Sequence, residues 1–155
     1  MIHSTAIIET ENIGKGTKIW AFSHVSEGVV IGDNCMIGEG VHIGNNVIIG
    51  DNCRIQNHSL IYEGVVIGSN VFLGPNTVTT NDLYPRVRDS FEDTFRKTFI
   101  EDHVSVGANS TILCGITLRR NTMIAAGSVV TSDTEPNSLV KGNPARHIRY
   151  LKPQN

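Results

Sequence analysis

The chain has 155 residues, of which 18% are charged and 39% hydrophobic, and its formal net charge is −2. This length predicts one domain, and the balanced charge lacks the basic excess that a nucleic-acid backbone attracts. No apolar run approaches the roughly 20 residues of a membrane span, and the first residues do not resemble a signal peptide. We therefore expect a cytoplasmic protein that binds neither nucleic acid nor a membrane.

A six-residue repeat organises the first half of the chain. An aliphatic residue occupies every sixth position from Ile7 to Leu73, and a small or β-branched residue precedes most of these by two positions. Because side chains alternate across a strand, the two residues point the same way. A glycine often follows the aliphatic residue and is predicted to adopt the positive φ of a corner. These glycines are Gly14, Gly32, Gly38, Gly44, Gly50, Gly68 and Gly74.

Each six-residue unit is thus predicted to be a short strand and a turn, with all inward residues sharing one interior. Three units make a closed coil, and coils stacked about 4.8 Å apart pair their strands in parallel. Cys35 and Cys53 lie 18 residues apart at the small inward position. We expect them to stack as buried, reduced thiols, and the chain has no zinc-type spacing of Cys or His.

Several polar side chains interrupt the repeat or form columns when the sequence is folded with a period of 18 residues. Gln56 and Tyr62 replace corner glycines, and His24 and His42 share one outward column. A second outward column contains Glu9, Glu27, Asn45, Glu63 and Asn81. Such residues are either solvated surface or part of a site.

The repeat loses phase after Leu73 and returns from Ile100 to Val130, which predicts coils over about 1–79 and 98–132. The inserted loop, about 80–97, carries Phe91 and Phe95 and is predicted to be an ordered arm that reaches a neighbouring subunit. Residues 133–155 are predicted to cap the last coil and to end in a short helix. This end is basic because it contains Lys141, Arg146, Arg149 and Lys152.

The repeat resembles that of the hexapeptide-repeat acyltransferases, over nearly the whole chain. Within that family, the chain resembles the branch of N-acetyltransferases that act on nucleotide-linked 3-amino sugars. The resemblance rests on residues 20–25, Gln56-Asn57, Tyr62-Glu63, Gly74-Pro75, Asn81-Asp82 and Pro85-Arg86. It implies an all-β, left-handed parallel β-helix, whereas the general rule for parallel crossovers predicts the opposite hand.

The resemblance also implies an activity. The chain would transfer the acetyl group of acetyl-CoA, without a metal, to the 3-amino group of a dTDP- or UDP-linked sugar used for bacterial surface polysaccharides. The enzyme would be a homotrimer with active sites between subunits. Residues similar to the family's coenzyme A side are Gly107, Ala108, Ala125, Ala126, Gly127, Lys141, Asn143, Pro144 and Arg146.

On the sugar side, Asn81 and Asp82 match positions that contact the amino sugar in this branch. Gln56, Asn57, Tyr62, Glu63 and Arg86 are the further candidates for sugar binding. His24 is a candidate general base because imidazole titrates near neutral pH. Members of this branch resemble one another in lacking a dedicated base, and a positioning role for His24 is the alternative.

Three other functions remain open on these residues. An O-acetyltransferase acting on a sugar or serine hydroxyl would share the fold and the cofactor. A γ-class carbonic anhydrase would need two histidines a few residues apart on one coil, and this chain has none so close. A purely structural β-helix would show outward rows of threonine in place of an inserted loop and a basic end.

Overall fold

The computed structural model, which describes residues 1–87 and 94–152, is a parallel β-helix with three sheets. Strands in successive coils pair in register at a spacing of 18 residues, as in Val30 with Ile48 and Ile31 with Ile49. The predicted β-helix of hexapeptide repeats is confirmed. No helix long and apolar enough to cross a membrane occurs in the described part of the chain.

From β3 to β18 the chain visits the three sheets in a fixed order, first to second to third. The first sheet contains β1 (Ile7–Ile8), β3 (His24–Val25), β6 (His42–Ile43), β9 (Leu60–Ile61), β12 (Val78–Thr79), β15 (Thr111–Ile112) and β18 (Val129–Val130). The second contains β4 (Val30–Ile31), β7 (Ile48–Ile49), β10 (Val65–Ile67), β13 (Thr98–Ile100) and β16 (Thr117–Leu118). The third contains β2 (Lys18–Ile19), β5 (Met36–Ile37), β8 (Arg54–Ile55), β11 (Phe72–Leu73), β14 (Ser105–Val106), β17 (Met123–Ile124), β19 (Ser138–Gly142) and β20 (Ala145–Tyr150).

One continuous core runs along the helix axis. The repeated aliphatic residues from Ile19 onward are fully buried, and so are the small residues two positions before them, such as Val29, Cys35 and Val41. Cys53 donates its backbone N–H to Sγ of Cys35 at 3.4 Å, and both thiols are free, as predicted. The core therefore follows the sequence period closely.

The first coil departs from that period by one residue. Ile8 pairs with Val25 and packs against the core, whereas Ile7 pairs with His24 and is 59% exposed. The prediction that Ile7 points inward was therefore wrong. In the described residues this strand pairs with β3 on one side alone, and there Ile8 takes the core position in place of Ile7. Glu9 consequently leaves the column in which the sequence placed it.

The prediction that the glycine after each aliphatic residue adopts positive φ was also wrong. The positive φ occurs two residues later, where the chain has Gly16, Asn34, Asn46 or their equivalents. The glycine after the aliphatic residue is required by close stacking of coils. A Cβ on Gly50 would lie 2.7 Å from the backbone carbon of Gly68.

The corner between the second and third sheets, which we call the ladder corner, comprises residues 14–17, 32–35, 50–53, 68–71, 101–104 and 119–122. Its side chains accept backbone N–H groups from the coil below. Oδ1 of Asp33 accepts from Lys15 N at 2.7 Å, and Oδ1 of Asp51 accepts from Asp33 N at 2.8 Å. These polar groups satisfy one another, so this corner is scaffold.

The insertion leaves the helix at the corner between the first and second sheets, which we call the loop corner. Across it, Val65 pairs with Thr98, 33 residues apart in place of the usual 18. The described parts of the insertion begin and end as a two-stranded ribbon, in which Asp82 bridges Phe95 and Leu83 N donates to Thr94 O at 3.1 Å. The predicted arm residue Phe91 lies outside the described residues.

The C-terminal segment is a β-hairpin, and the predicted helix was wrong. β19 pairs in parallel with β17, and β20 returns antiparallel to β19. The spacing of Ile148 and Leu151 suggested a helical face, but Ile148 is exposed and has no core to cover. The open edge of the third sheet offers unpaired backbone groups, and a strand satisfies them where a helix could not.

Candidate active site

The corner between the third and first sheets, which we call the small-residue corner, comprises residues 20–23, 38–41, 56–59, 74–77, 107–110 and 125–128. In its upper coils, the backbones of successive coils are too close to leave room for a side chain at Gly74 or at Gly107. A Cβ on Gly74 would lie 2.6 Å from Ala108 N, and one on Gly107 would lie 2.4 Å from Ala126 N. These two glycines are therefore explained by packing alone.

The outermost residues of the same corner face open space. A Cβ on Gly127 would meet nothing within 4 Å, and Ala126 and Gly127 are both exposed. With Gly107, Ala108 and Ala125, they form one continuous strip of backbone bearing almost no side chains. Such a strip lets an extended ligand approach N–H and C=O groups directly, since no Cβ-bearing bulk stands in front of them.

The C-terminal hairpin places cationic side chains at the end of this strip. Ala125 N donates to Val140 O at 2.9 Å, and Gly142 N donates to Ser128 Oγ at 3.2 Å. Lys141 and Arg146 are directly opposed across the hairpin and exposed. The hairpin turns at Asn143 and Pro144. The nine residues predicted to bind coenzyme A are therefore brought together, although they span 40 positions of sequence.

Gln56 and Asn57, predicted to bind the sugar, lie on this same corner, two coils below Gly107 and Ala108. The Asn57 side chain has a structural role, because its Oδ1 accepts Glu39 N at 3.0 Å. Its remaining capacity is donation through Nδ2. The structure thus places these two residues in line with the strip of small residues, and on a different corner from Asn81 and Asp82.

The remaining predicted sugar contacts lie at the loop corner. Tyr62 N donates to Thr79 Oγ1 at 3.0 Å, so the regular backbone ladder is broken where the insertion leaves. Asn46 Nδ2 donates to Glu63 Oε1 at 3.4 Å. Asp82 Oδ1 accepts Tyr84 N at 2.9 Å, which shapes the first turn of the loop.

Asn81 and Arg86 complete the loop corner. Asn81 O accepts Arg96 N at 2.9 Å, closing the base of the ribbon. Arg86 is exposed and donates to Pro85 O at 2.8 Å. Asn81 and Asp82 are thus held where the chain leaves the helix, in a geometry set by the ribbon.

The outward face of the first sheet carries a row of rings. His24 Nε2 lies 3.2 Å from Glu9 Oε2 but is not aligned for a hydrogen bond. The His24 and His42 ring centroids are 5.4 Å apart, and those of His42 and Tyr62 are 6.0 Å apart. Burial lowers the pKa of His42, and the nearby His24 lowers it further. No role was predicted for His42, although its spacing of 18 residues from His24 indicated the contact.

His24 is too far from Asn81 and Asp82 to act with them in one chain. The pairing of His24 with His42, His42 with Leu60 and Leu60 with Val78 places them three coils apart, or about 14 Å along the axis. Among residues 1–87 and 94–152, no group of three or more His, Cys, Asp or Glu side chains is arranged to hold a metal ion. Apart from His24, which lies on the outward face of the first sheet, the predicted site residues form two groups, one on each edge of that sheet.

Comparison with known proteins assigns the repeat. The family model described as bacterial transferase hexapeptide (six repeats) matches residues 12–45, 34–62 and 46–81, and the hexapeptide repeat of succinyl-transferase matches residues 97–132. The chain is 45% identical over 150 residues to dTDP-3-amino-3,6-dideoxy-alpha-D-galactopyranose 3-N-acetyltransferase of Aneurinibacillus thermoaerophilus. That alignment covers 97% of this chain and 78% of the relative.

Two solved structures extend the comparison. A galactoside acetyltransferase in complex with coenzyme A aligns with a TM-score of 0.71 at 28% identity, covering 81% of this chain and 66% of that one. PerB from Caulobacter crescentus, in complex with CoA and GDP-perosamine, aligns with a TM-score of 0.66, covering 96% of this chain and 56% of that one. At 20% identity this second likeness shows the fold alone. The matched repeats and the relative at 45% identity show that the chain belongs to the hexapeptide-repeat family of bacterial acyltransferases.

Proposed function

We propose that this protein is an acetyl-CoA-dependent N-acetyltransferase that acetylates the 3-amino group of a dTDP- or UDP-linked amino sugar for bacterial surface glycans. The observation that carries the proposal is the relative with this activity, which is 45% identical over 97% of the chain. The strip of small residues and the cationic hairpin support it, because they provide a place for an extended thioester. The unpaired thiols of Cys35, Cys53 and Cys114 are consistent with a reaction in the cytoplasm.

In this proposal, coenzyme A lies along the small-residue corner. Its phosphates face Lys141 and Arg146, where charge-assisted hydrogen bonds are available. The pantetheine arm then follows Ala126 and Gly127 past Ala108 and toward Gln56. Each coil advances about 4.8 Å, so backbone N–H and C=O groups recur at regular intervals beneath the arm.

We further propose a homotrimer whose active sites lie between subunits. The loop corner and the small-residue corner of one chain lie on opposite edges of the first sheet, so the amine-binding and thioester-binding groups do not meet within it. A neighbour's loop corner placed against the cofactor strip completes the site. Asn81 and Asp82 of one subunit would then face Gln56 of the next.

Exposed apolar side chains support assembly. The outward column of the second sheet contains Val30, Ile48 and Phe99, all exposed, and the loop exposes Leu83 and Tyr84. Exposed apolar side chains grouped in one column are expected to be covered by another protein surface. Sedimentation is expected to give a trimer at micromolar concentration, and a fully active monomer would contradict this part of the proposal.

The proposed chemistry is direct transfer. The neutral 3-amino nitrogen attacks the thioester carbonyl, the C–N bond forms, and the C–S bond breaks as the tetrahedral oxyanion collapses. A donor to the oxyanion lowers the barrier, and Gln56 or Asn57 Nδ2 on the strip can supply one. The departing thiolate sulfur takes the ammonium proton, so Asn81 and Asp82 need only hold and orient the amine.

The test is an assay of the purified protein with acetyl-CoA and a panel of acceptors, following thiol release and product mass. A dTDP-linked 3-amino-3,6-dideoxyhexose or a UDP-linked 3-amino-uronate should be acetylated on nitrogen. The matched acceptors are the same nucleotide sugars with a 3-hydroxyl group. If neither amino sugar supports thiol release, the proposal is overturned.

A second candidate is O-acetylation of a sugar hydroxyl. It is favoured by the galactoside acetyltransferase structure, which is 28% identical with a TM-score of 0.71. The same assay should therefore include a simple galactoside and maltose as hydroxyl acceptors. Acetylation of these hydroxyl acceptors at a higher kcat/KM than the amino sugars would replace the first proposal with the second.

A further inference from the structure

Two large aromatic side chains lie at the lower end of the small-residue corner. Trp20 is 42% exposed and Phe22 is 69% exposed, and both precede the core residue Val25 on the second coil. In the same column as Trp20, the coils above have Gly38, Gln56 and Gly74. The small-residue corner therefore exposes bare backbone in its upper coils and aromatic side chains in its lowest coils.

The backbone at Phe22 favours a binding role over ordinary packing. Its φ is 58°, a left-handed conformation that bulky side chains rarely adopt. The equivalent positions of this corner contain Gly40, His58, Asn76, Asn109 and Gly127. Phe22 N donates to Thr5 Oγ1 at 3.2 Å, which fixes the turn. A strained residue whose ring is left in solvent is typical of a functional position.

The coil above the aromatic pair adds a carboxylate that can accept a hydrogen bond from a pyrimidine base. Gly38 and Gly40 have no side chains, and the Asn57 and His58 side chains of the next coil lie over them. Glu39 is therefore the side chain of this coil that projects between the aromatic pair and Gln56. Its backbone N–H is held by Asn57 Oδ1 at 3.0 Å, and the residue is exposed. Uracil and thymine present one N–H donor between two carbonyl acceptors. A carboxylate can accept that donor while the ring stacks on an aromatic face.

We propose that Trp20, Phe22 and Glu39 form the subsite for the pyrimidine base of the nucleotide-linked sugar. This inference rests on the proposed function. Trp20 and Phe22 lie two coils, or about 10 Å, below Gln56, on the side away from the coenzyme A strip. A nucleotide sugar with its amine near Gln56 therefore extends its diphosphate and base toward them, while the thioester arrives from above.

Trp20 itself provides the test, because it is the single tryptophan of the chain. Titrating the intact protein with dTDP should quench tryptophan fluorescence in a saturable way. Inorganic pyrophosphate and coenzyme A should not quench it. Saturable binding of dTDP by calorimetry without any change in tryptophan emission would overturn the proposal.

The sharpest variant is Phe22→Asn, because asparagine occupies the same left-handed corner position elsewhere in this chain. It removes the ring and keeps the backbone, so folding is expected to be preserved. The Kd for dTDP and the KM for the nucleotide sugar should rise at least about tenfold, since stacking on an aromatic ring contributes that much to base binding. The KM for acetyl-CoA should stay the same.

Phe72→Ala is the control, because Phe72 is also an exposed phenylalanine, at 40%, but points outward from the third sheet. It should leave dTDP binding unchanged. Glu39→Gln should weaken dTDP more than it weakens a nucleotide with an N3-methylated thymine, which lacks the N–H donor. Equal weakening of both ligands would remove Glu39 from the subsite.

Three results separate this inference from the function on which it rests. Acetylation of the amino sugar with an unchanged nucleotide-sugar KM in Phe22→Asn overturns the subsite and leaves the function standing. Loss of the oligomer in Phe22→Asn, seen by sedimentation, would assign the aromatic pair to a subunit contact and overturn the subsite as well. Failure of all amino-sugar acceptors and of dTDP binding overturns both.

Discussion

The small-residue corner and the ladder corner are built from the same repeat and the same buried residues, yet they present opposite surfaces. In the ladder corner, carboxylates such as Asp33 and Asp51 accept backbone N–H groups from the coil below. In the upper small-residue corner, Ala126 and Gly127 leave the backbone bare. The two corners therefore differ in which side chains cover the backbone, because the core beneath them is alike, and the proposed function uses the corner that lacks them.

The largest expected effect follows from filling the bare corner. Ala126→Trp should raise the KM for acetyl-CoA by at least about a hundredfold or abolish activity, because the indole would occupy the strip proposed for pantetheine. Ala126 is exposed, so the fold should tolerate the change. Steady-state kinetics at several acetyl-CoA concentrations measures the effect.

Arg120→Trp is the matched control on the ladder corner, where Arg120 occupies the corresponding exposed position. It should leave both KM values unchanged. Equal loss of activity in the two variants would show that the bare small-residue corner is not the binding site for acetyl-CoA.

A smaller effect is expected from removing one charge at the end of the strip. Lys141→Ala and Arg146→Ala should each raise the KM for acetyl-CoA about tenfold, because a charge-assisted hydrogen bond to phosphate contributes roughly 1–3 kcal/mol. The KM for the amino sugar should change little. Arg119→Ala, which removes an ion pair with Glu101 on the ladder corner, is the control. Unchanged acetyl-CoA KM in both hairpin variants would leave these residues only a capping role.

Two glycines of the strip should differ in stability. Gly107→Ala places a methyl group 2.4 Å from Ala126 N and should cost about 1–3 kcal/mol or more, since backbone must move. Gly127→Ala meets no neighbour and should cost only about 1 kcal/mol from its φ of +70°. Gly127→Asn should cost less, because asparagine tolerates this conformation. Denaturant unfolding at fixed protein concentration ranks the three, and a reversed order would contradict the stacking explanation.

The smallest effect is expected on the face between the two corners. His24→Ala should lower kcat less than about tenfold, because His24 lies three coils from Asn81 and the thiolate can accept the proton. General-base catalysis would instead cost roughly 10²–10⁴-fold. A kcat below one hundredth of the parent value, with an intact oligomer and unchanged substrate binding, would make His24 the base.

Asp82 tests the orienting role directly. Asp82→Asn should retain more activity than Asp82→Ala, because the amide still accepts a hydrogen bond from the amine and from Tyr84 N. Equal losses in the two variants would show that the charge, and not the geometry, matters at this position.

The sequence by itself determined the β-helix, its core and the place of the insertion. A period of six residues has only one packing solution once every aliphatic residue must share an interior, and so the burial of Ile31, Ile37 and Ile43 follows from their spacing alone. The resemblance of local segments also predicted the residues that the structure brings together at the upper small-residue corner and the hairpin. The repeat period and the local motifs depend on residues close together in the sequence, so they can be predicted from the sequence.

Tertiary structure decided the rest, because it depends on contacts between coils and on what an open end offers. The slip from Ile7 to Ile8 occurs in β1, which pairs only with β3 in the described residues. The corner glycines are required by the backbone of the next coil, and the C-terminal hairpin replaces a helix because an open sheet edge has unpaired backbone groups. The ribbon that holds Asn81 at the base of the insertion, where Asn81 O accepts Arg96 N, is likewise a contact that residue spacing alone does not display.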